Sequence, residues 1–315
     1  MCDNLEIFVL TYNRAAMLKE SLKSICEQTA SGFDIIVLDN ASTDNSRAVV
    51  EDIQQQYPGR NIEFISLEKN IGGMGNFKRA RLMAQKKWAM LFHDDDLIHP
   101  EYIKNAMGLL SKHPDAVMAS CTFKQYEHPD ANNWGNFPGG YYIGDVKYFA
   151  ALMFGSLLHN FASTIYKSSL LQATEPKNEL YGKISDRPYL LEVAKHGKSI
   201  VLKDAYIRYR NHPGQDTNTF DTGPFAPEWF AFLNCYKDIM GNSWFDKYGI
   251  LYNLFVQSKL KMGYYWIKGV NSQMPFKQFK KMAVENKIIR KFEEPKLVEK
   301  LCKVCSSIFE KFLYF

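Results

Sequence analysis

Four largely apolar runs in the first hundred residues, each of strand length and each followed by a segment of another period, constrain this chain most. The runs are residues 6–10, 33–38, 62–67 and 88–92. After the first, Met17, Leu18, Leu22 and Ile25 share one helical face; after the second, Val49, Val50 and Ile53 do the same. Parallel strands need such crossovers, and helices on both sheet faces leave the strands reading as nearly continuous apolar runs. The expected fold is α/β, Rossmann-like, with a mostly parallel sheet flanked by helices. In open sheets of this kind ligands bind beyond the carboxyl ends of the strands. The residues that end each run are therefore where chemistry is expected.

The fourth run ends in three consecutive carboxylates, Asp94, Asp95 and Asp96, between His93 and His99. Pro100 then suits the first position of a helix. Adjacent carboxylates repel one another, and a hard divalent cation such as Mg²⁺ or Mn²⁺ relieves the repulsion while keeping a substrate phosphate in its shell. A solvated acidic turn is the other reading. The first run ends in Thr11, Tyr12, Asn13 and Arg14, which is not the glycine fingerprint of a dinucleotide fold. The third leads to Asn70-Ile-Gly72-Gly73-Met-Gly-Asn76, without the Gly-Lys-Ser/Thr of a P-loop. That cluster reads either as a tight turn into a helix or as close backbone approach to a nucleotide or sugar, with Lys78 and Arg79 nearby. Ser42 or Thr43 is expected to cap the helix after the second run.

In order and spacing, VLTYNR, VLDNASTDNS, NIGGMGN and FHDDDLIHPEYI resemble the family 2 glycosyltransferases, inverting nucleotide-sugar enzymes of the GT-A fold. The resemblance covers roughly residues 5–215, about two-thirds of the chain. It implies that Thr11 and Tyr12 line the base pocket and that Asp39 accepts a hydrogen bond from a pyrimidine N3–H. Asn13, Arg14, Asn70, Gly72, Gly73 and Asn76 would join the nucleotide-sugar site. Asp94, Asp95 and Asp96 would form the DxD region, with Asp94 and Asp95 on the donor and Asp95 or Asp96 on a Mn²⁺ or Mg²⁺ ion. His93 stands where many members carry the first Asp of Asp-x-Asp-Asp. The NIGG turn is reminiscent of members that use deoxysugar or furanose donors, and UDP- or dTDP-linked sugars are the favoured donors.

Two later stretches extend the resemblance. SDRPYLLEVAKHGKSIVL, from Ser185, is similar to the segment that supplies the catalytic base, with Ser185 in place of the usual Glu and Asp186 present. By position alone Asp186 is an N-terminal helix cap, and both roles are compatible. YRNHPGQ, from Tyr209, is similar to the late histidine motif, which implies that His212 contacts the metal or the leaving diphosphate, helped by Arg208 or Arg210. The strand before it is expected at residues 205–209, and further strands at 116–121 and 161–166. Residues 126–145, with five aromatics, read as an irregular loop or a sugar-binding lid.

The catalytic domain is expected over residues 1–222 and a helical, aromatic and basic extension over 223–315. Residues 276–315 hold ten Lys/Arg and five Asp/Glu, an excess equal to the net +5 of the whole chain. That tail reads as a helical bundle with a solvated basic face or as a segment lying on an anionic membrane surface. No nucleic-acid motif accompanies the charge. The six cysteines are scattered and no second CxxC completes a zinc site, so reduced thiols in a cytoplasmic protein are expected, with the inner membrane face as the place of action if the tail binds lipid. No run reaches the ~18 apolar residues of a membrane span. The expected acceptor is a saccharide or a polyprenyl-diphosphate-linked saccharide of a surface polysaccharide. A nucleotidyltransferase and a non-catalytic nucleotide-sugar-binding domain are the competing classes.

Overall fold

The computed structural model describes residues 2–126, 134, 137, 139–154, 161–212, 225–241 and 285. They fall into two compact units, residues 1–176 with 189–215 and residues 177–188 with 216–315. The boundary expected at 222/223, the aromatic run past residue 241 and the basic tail, Glu285 apart, lie outside the described residues.

The first unit begins with β1 (Leu5–Thr11), α1 (Ala15–Cys26), β2 (Asp34–Asp39), α2 (Ser46–Gln56), β3 (Asn61–Ser66), α3 (Gly72–Met83) and β4 (Trp88–His93). It continues through β5 (Leu97–Ile98), α4 (Tyr102–Lys112), β6 (Ala116–Tyr126), β7 (Tyr141–Gly144) and α5 (Val146–Phe154). A 3₁₀ turn at Phe161–Ser163 precedes β8 (Ile165–Lys167) and α6 (Ser168–Ala173). Among the described residues the strands form one sheet in the order β3-β2-β1-β4-β8-β6, followed by β9 (Lys198–Arg210), which also pairs with β5 and β7. The β3-β2-β1-β4 half is parallel, with Thr11 opposite Asp39, Asp39 opposite Ser66 and Leu10 opposite His93. The carboxyl ends of four strands are thus level. The chain winds outward from β1 to β3 and returns to β4 on the other side, so the switch point lies between β1 and β2 on one hand and β4 on the other.

The core explains the pattern. Leu5, Ile7, Val9, Ile35, Val37, Met90 and Phe92 on one face are fully buried under Leu18, Leu22, Ile25, Val50 and Ile53. Burying each such side chain contributes about 1.5–3 kcal/mol. In the second unit, α7 (Asn178–Tyr181) and a 3₁₀ turn at Gly182–Ile184 pack on α9 (Phe225–Met240). Phe232 and Tyr236 of α9 are buried edge to face at 4.6 Å. Gly182 has φ +51°, and a Cβ there would come within 2.6 Å of Glu228 Oε1, so glycine is required. The helix α8 (Asp186–Ala194) begins in this unit and continues in the first.

Several expectations are corrected. Residues 161–166 are a 3₁₀ turn and the start of a three-residue strand rather than one strand. The strand expected at 205–209 is the end of thirteen-residue β9, and that expected at 116–121 runs on to Tyr126. Neither Ser42 nor Thr43 caps α2: Ser42 Oγ accepts from Asn13 N and Thr43 N donates to Asn13 Oδ1. The Asp44 carboxylate, a stronger acceptor, takes Ser46 N instead. The glycine cluster, expected as a turn into a helix, forms the first turn of α3, entered through Gly72 at φ +77°. No helix among the described residues is long and apolar enough to cross a membrane.

Candidate active site

The level strand ends build a rim of polar groups in the first unit. After β1 and β2 the chain turns sharply, and Asn13 (φ 51°) and Ala41 (φ 65°) adopt left-handed backbone. Asn tolerates that conformation; Ala does not favour it, so the turn after Asp39 is strained at the rim. The two turns are cross-linked by the Asn13 bonds to Ser42 and Thr43 at 2.8 and 2.7 Å. Asp39 is buried, and its Oδ2 accepts from Ser66 Oγ at 2.6 Å and Ser42 N at 3.1 Å. A carboxylate offers about four lone-pair sites, so one more donor can be received. Asn40 Nδ2 donates to Asn70 Oδ1, and Asn40 Oδ1 accepts from Ile71 N, each at 2.9 Å. Asn70 Oδ1 also accepts from Gly72 N at 2.7 Å. Asn76 anchors α3 beneath this turn by donating to Leu38 O at 2.8 Å. Tyr12, Ile71 and Met74 leave apolar surface exposed.

The acidic turn owes its burial to what flanks it. Phe92 before it and Leu97 and Ile98 after it are all in the core, so the backbone between has no freedom to swing into solvent. Asp94, Asp95 and Asp96 are 2%, 8% and 0% exposed, which rules out a solvated acidic turn. Arg14 Nη1 bridges Asp94 Oδ1 at 3.1 Å and Asp95 Oδ2 at 2.9 Å. Burial, with the charge of Asp95 beside it, still raises the Asp94 carboxyl above its ordinary pKa. Its Oδ2 has no hydrogen-bond partner among the described residues. Burial pushes Asp95 up as well, but the charges of His93, Arg14 and His212 outweigh it and hold that carboxyl low.

His212 Nε2 lies 3.0 Å from Asp95 Oδ2, and His93 Nδ1 lies 3.9 Å from Asp96 Oδ2. One ligand atom each from His93, Asp95 and Asp96 falls within 4.8 Å of the others, a span a single ion can bridge. Two carboxylates and an imidazole fit a divalent cation, and the imidazole suits Mn²⁺ better than Mg²⁺. His93 is the member of this set that sequence reasoning left aside; its signal was its place at the strand end beside the triplet. Arg208 and Arg210 lie two residues apart at the end of β9. The Arg208 guanidinium lies 5.1 Å from the centre of the Trp134 ring, and burial lowers its pKa. Arg210 points inward: its Nε donates to Asp95 O at 2.9 Å, its backbone N to Asp96 Oδ1 at 3.2 Å, and its Nη2 to Glu20 Oε2.

Asp186 is the first residue of α8, in the second unit, and its Oδ1 accepts from Arg187 N at 2.9 Å. Further along the helix Tyr189 is buried, donates from its hydroxyl to Leu171 O at 3.2 Å and packs edge-on to Phe77.

A sheet with its polar rim at the switch point, and a buried acidic turn whose ligand atoms fall within 4.8 Å of one another, define an α/β protein of the class whose ligands bind beyond the strand ends. Residues 6–166 match the model of glycosyl transferase family 2, over half of the chain, and the protein belongs to that family. It is a glycosyltransferase. An uncharacterized glycosyltransferase of Haemophilus influenzae is 23% identical over 228 residues, covering 70% of this chain and 69% of the relative. The GalNAc(5)-diNAcBac-PP-undecaprenol beta-1,3-glucosyltransferase of Campylobacter jejuni is 24% identical over 206 residues, 65% of this chain and 64% of that one. The solved structure of Staphylococcus aureus TarS 1-349 in complex with UDP-GlcNAc superposes with a TM-score of 0.62 at 18% identity, covering 90% of this chain and 80% of that one, which shows the GT-A fold.

Proposed function

We propose that this enzyme transfers a sugar, with inversion, from a UDP- or dTDP-linked donor to a saccharide or polyprenyl-diphosphate-linked saccharide in surface polysaccharide synthesis. The observation that carries the reading is the buried acidic turn at the switch point, with His93, Asp95 and Asp96 within 4.8 Å of one another. The relative from Campylobacter jejuni, whose name specifies an undecaprenol-linked acceptor, supports the acceptor class.

Tyr12 packs on the base, with Thr11 beside it, and Asp39 receives N3–H. Asn13, Asn40, Asn70 and Asn76 hold the turns that shape this pocket, and the bare backbone of Gly72 and Gly73 lets the donor approach. Asp94 and Asp95 face the donor, and Arg14 keeps the two carboxylates from repelling each other apart. His93, Asp95 and Asp96 would hold Mn²⁺ or Mg²⁺, which supplies neutralising charge to the donor diphosphate. Arg208 and His212 balance the negative charge of the leaving nucleoside diphosphate. Asp186 takes the proton of the acceptor hydroxyl as its oxygen bonds to the anomeric carbon; the bond to the diphosphate breaks and its electron pair leaves with the phosphate oxygen. The test is incubation of the full chain with a panel of nucleotide sugars and lipid-linked acceptors. Nucleotide release should require the acceptor and a divalent cation, and NMR of the product should show the opposite anomer. Retention of configuration would overturn the mechanism.

Asp39 sets the base preference. Uracil and thymine present a donor at N3, whereas cytosine presents an acceptor that a carboxylate repels. Titration calorimetry should find UDP bound well above CDP. A hydrogen bond to a charged group contributes about 1.5–3 kcal/mol, so Asp39→Asn should weaken UDP at least about tenfold and narrow the gap to CDP. Equal affinities for UDP and CDP in the wild type would remove Asp39 from this role.

The basic tail brings the enzyme to its lipid-linked acceptor. Full-length protein should co-sediment with anionic vesicles at low salt and dissociate as ionic strength rises, because surface charge is screened beyond ~10 Å at 0.1 M salt. Protein truncated after residue 275 should stay in the supernatant; equal partition of the two forms would defeat this assignment.

A further inference from the structure

The polar side of α1 and the residue just past its C-terminal cap carry side chains that bond to the acidic turn and its flanks. Glu20, Ser21 and Ser24 lie on α1 and Gln28 just past its end, and Ser21 and Gln28 are 0% and 3% exposed. A helix that buries polar side chains does so where they have partners. Here the partners are backbone groups on either side of the acidic turn. Ser21 Oγ donates to His93 O at 3.0 Å, and Ser24 Oγ accepts from Ile98 N at 3.2 Å. Gln28 Nε2 donates to His99 O at 2.7 Å, and its Oε1 accepts from Ile103 N at 3.1 Å. Glu20 reaches the turn through Arg210: the carboxylate holds Nη2, Nε holds Asp95 O at 2.9 Å, and the Arg210 backbone holds Asp96 Oδ1 at 3.2 Å. Tyr126 closes the other side, its ring 5.3 Å from the guanidinium carbon.

We infer that Glu20 and Arg210 form a clamp that positions Asp95 and Asp96 for the cation, with α1 as the splint that fixes both ends of the turn. The clamp rests on the proposed cation site. Neither residue touches substrate; both act through the acidic turn. The contacts are split between β9 and α1, so the turn cannot relax toward either element without breaking one of them. Partners that orient metal ligands typically set metal affinity by about 10–100-fold.

The test uses the full chain. Mn²⁺ binding is measured by titration calorimetry in the presence of UDP, and amide hydrogen exchange of residues 93–99 is followed in EDTA. Glu20→Ala and Arg210→Lys should each weaken Mn²⁺ by about 10–100-fold. The double variant should be no worse than the poorer single, because one clamp is removed either way. Glu20→Gln keeps an oxygen acceptor for Nη2 and should retain most of the affinity. Saturating Mn²⁺ should restore kcat in the variants, and exchange at 93–99 should accelerate with no change in protection of β1 and β2. Unchanged Mn²⁺ affinity in both single variants, or losses that add in the double, would overturn the clamp. A wild type that binds no Mn²⁺ even with UDP overturns the cation site itself. The clamp is then judged on exchange alone: unchanged protection of 93–99 in both variants overturns it, and faster exchange confined to that segment supports it.

Discussion

Chelation with EDTA should abolish sugar transfer, and Mn²⁺ should restore it more fully than Mg²⁺. His93, Asp95 and Asp96 offer two oxygens and a nitrogen within 4.8 Å of one another. Mg²⁺ is reluctant to exchange water for imidazole, whereas Mn²⁺ accepts mixed oxygen and nitrogen ligands. A bound cation at a departing diphosphate contributes several kcal/mol, so the loss in kcat should reach about a thousandfold or more. The clean variant is Asp95→Asn with Asp96→Asn. Asn keeps the size of Asp and an oxygen that can accept from Arg14, His212 and Arg210 N, the groups that now hold these carboxylates. The thermal midpoint should therefore move little in EDTA, while Mn²⁺-dependent nucleotide binding disappears. His93→Asp should reverse the preference from Mn²⁺ toward Mg²⁺ by making the set all oxygen. Full turnover in EDTA would end the metal reading, and an unaltered preference in His93→Asp would take His93 out of the set.

The parts of this molecule that were legible in its sequence share a physical cause. β1, β2 and β4 are buried on both faces, so Ile7–Leu10, Ile35–Leu38 and Trp88–Phe92 appear as unbroken apolar runs, and the carboxylates that follow two of them stand out against that background. β5 is not legible, and β8 only as the strand expected at 161–166 that forms at Ile165–Lys167, because strands of two and three residues have no period. β9 was recognised only at its end: Lys203 is exposed and Asp204 buried in mid-strand, and its pairing with β6 shifts register at Cys121/Phe123, which breaks the alternation. In the candidate site, Asp39 and Asp94–96 are singled out by their place at strand ends. The α1 contacts were missed for the opposite reason. Serines on the non-apolar side of an amphipathic helix, and a glutamine just past its end, read as solvent-facing, and only the packing of α1 against β5 reveals that they face backbone. Arg210 reads like a phosphate ligand in YRNHPGQ; its bond to Asp95 O is not legible there, because a guanidinium serves a carbonyl as readily as a phosphate.

Replacement of Asp186 by Asn should leave a folded, donor-binding enzyme that barely turns over. Two roles are open to a carboxylate at a helix start, and they respond differently to this change. As a local acceptor, Asp186 holds Arg187 N at 2.9 Å in the first turn of α8. Asn satisfies helix N-terminal donors about as well as Asp, so that role survives the substitution and the thermal midpoint should stay near the wild-type value. As a general base, the group must bind a proton from the acceptor hydroxyl, which an amide cannot do, and loss of a general base typically lowers kcat by about 10²–10⁴. Donor KM and UDP affinity should be unchanged, since neither depends on the base. Asp186→Ala separates the contributions further: it should lose the same factor in rate as Asn and, in addition, about 0.5–2 kcal/mol of stability from the helix start. A merely structural Asp186 predicts the reverse order, with Asn near wild type in rate and Ala impaired only as far as it is unfolded. Glu192, on the same helix, is a poor substitute for the role, because it is bonded to Lys195 at 2.7 Å on an exposed face. Glu192→Gln should therefore leave turnover within about twofold of wild type, the behaviour of a surface salt bridge. Near wild-type transfer by Asp186→Asn would move the base elsewhere on the chain.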